Sequence, residues 1–514
     1  MHAGRFTTAA LVLASLDLIA ARAQPASAQT VPRTWDDDAI AALEVPLARP
    51  IGSPRHVTAE YYYRIPVAVI YKSYPVYAPG REPDGYLQRL IGTDPEIVWD
   101  EAGHRPPLET RADWIRAGEL VFDAPVGPAT MSVSEMRDPA WFAAAQWPTP
   151  GDGTVPVARY VVRKRGDVSL EMFSCATCHT RVMPDGSVVK GAQGNFALGR
   201  PNAMRLRESA RRGEAAAFWQ QLKLTLRATT AVPWLTPDPE VRIERMPPDE
   251  FADVLDAIPP GVNPRHRASP LYPVQIPDLI GVADRRYLDR TGLQQHRSIA
   301  DLMRYAAMNR GILNGGDGVA SHNGFVPGDP PRFERLPDPA TRARYSDEQL
   351  YALAQYLYAL RPPPNPNAVD AAAVRGGEIF RREGCVTCHT PPLYTNNTLT
   401  PADGFTIPVD HPGRYDVTPL SVGTDPALTL ETRRGTGYYK VPSLKGVWYR
   451  GMFGHSGWCA TLEDWFDPRR VRDDYVPTGF KPHDRRTFAV VGHRFGLNLS
   501  AEDRRSLIRF LNTL

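Results

Sequence analysis

The sequence predicts a mainly α-helical protein in which two domains of one plan follow each other in tandem. A Cys-x-x-Cys-His motif occurs twice, at residues 175–179 and 385–389. Downstream of each motif, a Ser followed by acidic residues opens a stretch with apolar residues at helical spacing, at 346–360 and 500–514. The chain contains 51 prolines, so we expect long irregular loops between these elements.

A matching pair of segments lies upstream of the two motifs. The sequence Arg116-Ala117-Gly118-Glu119 leads to Phe122, and Arg375-Gly376-Gly377-Glu378 leads to Phe380. Each half therefore consists of an opening helix, a Cys-x-x-Cys-His motif and a closing helix that starts with a capping box. We expect the opening and closing helices to cross closely at Gly118 and at Gly376 or Gly377, because glycine allows close backbone approach.

The proline-rich run 362–366 predicts a stiff linker between the halves. The predicted organisation is a signal peptide at 1–28, an N-terminal extension at 29–110, an enlarged first domain at 111–361 and a second domain at 368–514. In the extension we expect short strands around 67–71. The aromatic cluster at 60–64 is interpreted as a packing surface.

The first 28 residues have the pattern of an export signal. Arg5 precedes an apolar stretch at 9–20, and small-x-small sites end at Ala23 and Ala28. Asp17 interrupts the apolar stretch, which is too short to span a bilayer. We expect a cleaved signal and a periplasmic or secreted protein without stable membrane insertion, the alternative being a retained membrane anchor.

Cys-x-x-Cys-His is the attachment motif of c-type haem. The two thiols form thioether bonds to the porphyrin, and the adjacent His binds the iron from the proximal side. The alternatives are a redox dithiol or a zinc site, neither of which needs a His after both pairs. The sequence therefore predicts two covalently bound haem c groups, with attachment and proximal residues Cys175, Cys178, His179, Cys385, Cys388 and His389.

The fifth cysteine, Cys459, is interpreted as a small buried side chain, the alternative being a reactive thiol. Of all residues, 42% are hydrophobic and 23% are charged, as in a large globular protein. The formal net charge is only +3. This balance gives no indication of a nucleic-acid partner.

The chain resembles the di-haem bacterial cytochrome c peroxidases, whose relatives include the methylamine-utilisation di-haem enzymes and the rubber oxygenases, and the resemblance is most specific in the C-terminal half. The resemblance rests on the paired motifs, on Lys440-Val441-Pro442-Ser443-Leu444-Lys445-Gly446-Val447 and on Gly454-His455-Ser456-Gly457. It covers about residues 110–514 and implies tandem class I cytochrome c domains. His455 matches a family position, and we expect it to form a structural hydrogen bond.

Four histidines follow His389 and could bind the far side of the second iron: His411, His455, His483 and His493. In the family this distal ligand lies shortly before the last helix, and it is Met in typical peroxidases and His in the rubber-oxygenase branch. No Met follows Met452, and residues 490–497 contain His493. The resemblance therefore implies His493 as the distal ligand, with the second haem as an electron-transfer group.

The first haem differs from that of typical peroxidases, which carry a labile distal His about 16 residues beyond the motif. No His lies between His179 and His266, and Asn195 occupies that region. We therefore expect an open iron, as in the rubber-oxygenase branch. More distant residues remain possible ligands: Met183, Met204, His266, His296 and His322.

His296 and Arg297 fall where the family places distal-pocket residues, and we treat them as candidate catalytic residues. The alternatives are a pair at the start of a helix or contacts to haem propionates. In the family, a Trp relays electrons between the haems. The nearest match in this sequence is Arg286-Tyr287-Leu288-Asp289-Arg290, which has Tyr287 and no Trp. The resemblance also implies calcium between the domains, for which the sequence has no clear ligand pattern.

The preferred function is a di-haem oxidoreductase in which the second haem exchanges electrons with a first haem that reacts with peroxide or dioxygen. The expected partners are a small redox protein or a quinol-linked electron donor. The alternatives are a pure electron-transfer cytochrome and a haem oxygenase-type enzyme that cleaves an organic substrate.

Overall fold

The computed structural model describes residues 30–48, 55–232, 235–264, 268–311, 325–326 and 338–514. The predicted signal peptide, His266 and His322 lie outside these ranges. The helices are α1 Asp37–Ala41, α2 Ala59–Arg64, α3 Tyr86–Ile91, α4 Arg111–Asp123, α5 Val133–Arg137, α6 Pro139–Ala145, α7 Cys175–Cys178, α8 Arg200–Arg211, α9 Ala215–Thr229, α10 Val241–Arg245, α11 Pro248–Asp256, α12 Ile299–Gly311, α13 Asp347–Ala359, α14 Ala371–Arg382, α15 Ala427–Leu430, α16 Leu462–Trp465 and α17 Ala501–Asn512. The strands are β1 Arg55–His56, β2 Ile70–Tyr71, β3 Ser73–Tyr77, β4 Ile97–Trp99, β5 Gly127–Pro128, β6 Thr154–Lys164, β7 Asp167–Met172, β8 Thr180–Val182, β9 Val188–Lys190, β10 Val262–Asn263, β11 Val274–Gln275, β12 Phe325–Val326, β13 Leu399–Pro401 and β14 Tyr438–Lys440.

The two predicted helix crossings are present, and each is built around one glycine. Helix α4 packs on α13, and α14 packs on α17. A Cβ at Gly118 would overlap the carbonyl oxygen of Ala352, and a Cβ at Gly376 would overlap that of Ser506. Ala352 and Ser506 occupy equivalent positions in the two closing helices. The glycines therefore set the distance between the helices, as predicted.

Aromatic pairs beside the glycines repeat with the same geometry. The ring centroids of Phe122 and Tyr356 lie 5.3 Å apart at an interplanar angle of 56°. The corresponding pair, Phe380 and Phe510, has a centroid distance of 5.3 Å and an angle of 55°. The repeat in the sequence is thus a repeat of packing geometry.

The starts of the two closing helices differ. Ser346 and Gln349 form the full predicted capping box on α13. On α17, Ser500 accepts a hydrogen bond from the Asp503 amide. The Asp503 carboxylate binds Arg375 at 2.6 Å and Arg382 at 3.0 Å on α14. The second box is therefore only half formed, because its acidic residue joins the two helices.

A four-stranded antiparallel sheet, with strand order β3-β6-β7-β5, corrects the expectation of a mainly α fold. Helices contain 35% of the residues and strands contain 13%, so the fold is a mixture of helix and sheet. Strand β6 contains four Val residues and buries six of its eleven residues, and it turns into β7 at Gly166, where φ is 89°. This hairpin lies in the long insertion before the first motif, outside the repeated helices.

The N-terminal extension is part of the body of the protein. Residues 31–514 form one compact unit, and β3 of the extension pairs with β6. Trp35 and Tyr62 are fully buried and stack at 4.6 Å, so the aromatic cluster packs as predicted. Residues 361–370 have no regular secondary structure. In the described ranges, none of the helices combines the length and apolar character needed to cross a membrane.

Candidate functional site

The second Cys-x-x-Cys-His motif lies at the edge of a large cavity. Helix α14 ends at Arg382, and Gly384, with φ of 74°, turns the chain into the 3-10 turn Cys385–Thr387. Cys385 and Cys388 are half-buried and line a cavity of about 220 Å³. Natural protein interiors contain few voids larger than one water molecule. The apolar wall of the cavity at Cys385 includes Phe380, Leu444, Val447, Phe453, Trp458, Leu462, Trp465, Phe466, Leu507 and Leu511.

His389 is held in one orientation on the wall of this cavity. Its Nδ1 lies 3.2 Å from the carbonyl oxygens of both Tyr394 and Pro442. Donation from Nδ1 leaves Nε2 as the nitrogen available to a metal. Burial lowers the pKa of His389 to about 4. The imidazole is therefore neutral near pH 7, the form that binds a metal.

His493 faces His389 across the cavity. The two ring centroids lie 6.3 Å apart. An iron held between two imidazole nitrogens, with bonds of about 2 Å each, would set the centroids about 6 Å apart. Burial, and secondarily His389, lowers the pKa of His493 to about 3. The two rings thus have the spacing and the charge state of a bis-His metal site.

The backbone at His493 adopts a conformation that few side chains tolerate. Its φ is 46°, and Gly492 before it has φ of 80°. Such strain persists only where surrounding contacts determine it. The His493 amide donates to the Val422 carbonyl at 2.6 Å.

Arg470 supplies the other contacts that hold this segment. Its guanidinium, which is fully buried, donates to the carbonyl oxygens of Val490 at 2.6 Å, Gly492 at 3.0 Å and His493 at 2.6 Å. It also lies 4.6 Å from the Trp465 ring centroid. Sequence reasoning missed Arg470, because nothing local distinguishes it from the exposed Arg469 beside it.

We expect Arg470→Met to release His493 from the cavity. Four backbone carbonyls, those of Trp465, Val490, Gly492 and His493, lose a charged donor. This loss should lower the free energy of unfolding by about 3 kcal/mol. The haem-loaded variant should show a mixture of high-spin and low-spin ferric signals, and added imidazole should restore the low-spin form. Arg469→Met, at an exposed site paired with Asp467, is the control. Loss of stability with an unchanged spin state would contradict the positioning role.

The other three histidines of the C-terminal half have other partners. His455 lines the cavity, but its ring stacks on Tyr439 at 4.2 Å, and its Nε2 lies 3.2 Å from the Tyr439 hydroxyl. His411 is paired with the Tyr438 hydroxyl at 2.8 Å. His483 lies 3.4 Å from Glu250. Among these candidates, His493 has the geometry of a ligand opposite His389.

The first motif is more deeply buried than the second. Helix α7 spans Cys175–Cys178, and Cys178 is 7% exposed. The Asn263 side-chain amide lies 3.7 Å from Cys178 Sγ. Backbone amides of Gly191 and Gly194 donate to the carbonyls of His179 and Cys178 at 2.7 and 3.0 Å. The loop after β9 therefore folds back on the motif.

Asn195 has a structural role near this motif. Its Oδ1 accepts from the Val182 amide at 3.0 Å, and its Nδ2 donates to the Val182 carbonyl at 2.9 Å. Both ends of the side chain are thus used within the loop. Asn195 does not replace the labile distal His of typical peroxidases.

The two candidate catalytic residues lie at the start of α12. His296 uses Nδ1 on the Arg285 carbonyl and Nε2 on the Tyr358 hydroxyl, both at 2.7 Å. Arg297 forms two hydrogen bonds with the Asp301 carboxylate, at 2.9 and 3.1 Å. Neither residue lines the cavity at Cys385. These contacts favour the alternative of a pair at the start of a helix, and a catalytic role stays a prediction.

Three further expectations concern Tyr287, calcium and Cys459. Tyr287 is buried, and its hydroxyl accepts from the Asp416 amide at 3.1 Å. Within the described ranges, no three His, Cys, Asp or Glu side chains converge as metal ligands. The calcium prediction therefore gains no support from these residues. Cys459 is fully buried, as expected, and burial raises its thiol pKa to about 12.

Comparisons with known proteins give little guidance. No family model matches the chain, and no curated protein matches it. Among solved structures, hydrazine synthase from Kuenenia stuttgartiensis, in a xenon-pressurised form, is similar over 47% of this chain and 72% of its own, at 17% identity and a TM-score of 0.27. A similarity of this extent carries no argument about fold or function.

Proposed function

We propose that the chain is an exported di-haem c-type cytochrome, built from two tandem cytochrome c units, that acts as a peroxidase-like oxidoreductase. The observation that carries this proposal is the pair His389 and His493, facing each other at 6.3 Å across a cavity lined by Cys385 and Cys388. The equivalent helix crossings at Gly118 and Gly376 support a repeated haem-binding unit. By analogy, we assign the other haem to the first motif.

The residues at the second motif fit a covalently held haem. Cys385 and Cys388 would supply the thioether bonds, and His389 and His493 the two axial nitrogens. When bound, haem iron supplies one-electron redox chemistry, and an iron with a free position also binds peroxide or dioxygen. The apolar wall excludes water, and the carbonyls of Tyr394 and Pro442 hold the proton of His389 on Nδ1.

His389 and His493 together would leave a haem at the second motif no free position for substrate, which suits electron transfer. Cys175, Cys178 and His179 would hold the haem that reacts with substrate. The contacts of Asn195 support an open iron at the first motif, because both ends of its side-chain amide bond the Val182 backbone. The expected electron partner is a small redox protein or a quinol-linked donor.

Haem content tests the first part of the proposal. The purified protein should carry two covalent haems by mass and by haem absorbance. Cys385→Ser with Cys388→Ser should leave one haem, and so should Cys175→Ser with Cys178→Ser. Cys459→Ser is the matched control and should retain both haems. A protein exported without covalent haem would overturn the proposal.

Low-temperature EPR of the oxidised holoprotein tests the assignment of roles. A high-spin ferric signal beside a low-spin bis-His signal is expected, and the reduced protein should then consume peroxide or dioxygen. Two low-spin signals that persist after partial reduction would overturn the reactive first haem and leave an electron-transfer cytochrome.

A further inference from the structure

One end of the cavity at Cys385 carries an excess of positive charge. Arg290, Lys440 and Arg450 line both this cavity and a smaller one of about 20 Å³ beside it, and Arg285 lines the smaller one. The remaining wall is mostly apolar. The Lys and Arg side chains that line the cavity thus all lie where it adjoins the smaller one.

The chain supplies few negative partners for these cations. Among the described residues lining the two cavities, Asp278 is the single carboxylate. It accepts a hydrogen bond from the Tyr449 hydroxyl at 2.6 Å and lies 4.0 Å from Arg450 Nε. Nearby, Asp289 is already paired with Arg434 at 2.7 Å. Four cations therefore face one available carboxylate.

Arg290 and Lys440, two of the three cations that line both cavities, have little internal compensation. Lys440 Nζ donates to the Tyr287 carbonyl at 2.9 Å. The Nε of Arg290 is buried and has no hydrogen-bond partner among the described residues. Burial, followed by repulsion from Arg450 and Arg285, lowers the pKa of Arg290 to about 9. Positive charge at such a position is costly unless an anion matches it.

We propose that Arg290 and Lys440, with Arg450 beside them, form an anion site that takes the two propionate carboxylates of the haem attached at Cys385 and Cys388. This inference rests on the proposed function and adds the residues that orient the haem. A guanidinium and an ammonium are suited to bind carboxylates at a desolvated site. Two carboxylates would reduce the excess of three positive charges to one.

The same charge distribution is unfavourable for calcium at this position. A divalent cation needs several oxygen ligands with negative charge, whereas the small cavity presents four basic side chains and one carboxylate.

The experiment measures the midpoint potential of the low-spin haem in holoprotein carrying Arg290→Met or Lys440→Met. Positive charge beside a haem favours its reduced form, so each variant should lower the equilibrium constant for reduction at least tenfold at low ionic strength, which is about 59 mV for one electron. Lys440→Arg should keep the potential close to that of the wild type. Lys445→Met, at an exposed site outside both cavities, is the control.

A second measurement needs no variant, so it can be made even if the substituted proteins do not accumulate in folded form. In wild-type holoprotein with haem labelled with ¹³C at the propionates, redox-difference infrared spectra should show ionised carboxylates well below pH about 4, where a free carboxyl group is half protonated. Propionates that protonate at the ordinary pH, or variants with unchanged potentials, would overturn the inference. If no haem is attached at Cys385 and Cys388, the proposed function itself fails, and the haem count shows this separately.

Discussion

Gly376→Ala should destabilise the protein by roughly 3 kcal/mol or more, a large part of the 5–15 kcal/mol that holds a typical domain folded. The new methyl group would overlap the carbonyl oxygen of Ser506 and press on Cβ of Phe510. Both neighbours belong to helix α17, so the strain is relieved only if the two helices move apart. Urea unfolding followed by far-UV circular dichroism should show a lower midpoint with an unchanged slope.

The adjacent glycine provides the control on the same helix. A Cβ at Gly377 would meet the ring of Phe510 at 3.4 Å, an ordinary contact. Alanine is also favoured over glycine in a helix by about 1 kcal/mol. Gly377→Ala should therefore be neutral or slightly stabilising. Equal effects of the two substitutions would show that helix propensity, and not the crossing, determines the outcome.

The helical repeat was predictable because each of its parts is local. Apolar spacing, a Ser at the start of a helix and a Gly within a helical stretch can all be identified in a few adjacent residues. The crossing of the opening and closing helices follows from these patterns together with the repeat, but the choice of Gly376 over Gly377 comes from the structure. The half-formed box at Ser500 was not predictable, because Asp503 binds arginines more than a hundred residues away.

The sheet was missed for a different reason. Its strands come from the extension and from the long insertion between Phe122 and Cys175, and β3 pairs with β6 across about eighty residues of chain. Pairing at such a separation depends on tertiary packing and leaves a weak local pattern. The result is a mixed fold around the two helix pairs.

At the candidate site, the motif residues were predictable and their supports were not. The resemblance identified His493, and the structure places it opposite His389. Arg470 acts through hydrogen bonds to backbone carbonyls, and the role proposed for Arg290 depends on its charge. Neither role requires a local motif. The hydrogen bonds of His296 were not predictable: its two ring nitrogens bond the Arg285 carbonyl and the Tyr358 hydroxyl. Its role as a distal residue stays a prediction.

His493→Gly should convert the low-spin signal of the second haem into a high-spin one. Glycine suits the positive φ of 46° at this position, so the loop should remain folded while the axial nitrogen is lost. Added imidazole should enter the space left by the ring and restore the low-spin spectrum. EPR and visible absorption of the ferric protein, with and without imidazole, measure both changes.

His483→Gly is the matched control, because His483 lies outside the cavity and contacts Glu250. It should leave both ferric signals unchanged. His455→Gly distinguishes the remaining candidate, since His455 lines the same cavity but its Nε2 faces the Tyr439 hydroxyl. If His455→Gly and not His493→Gly produced the imidazole-sensitive high-spin form, the ligand assignment would pass to His455. The 6.3 Å spacing of His389 and His493 would then reflect packing alone.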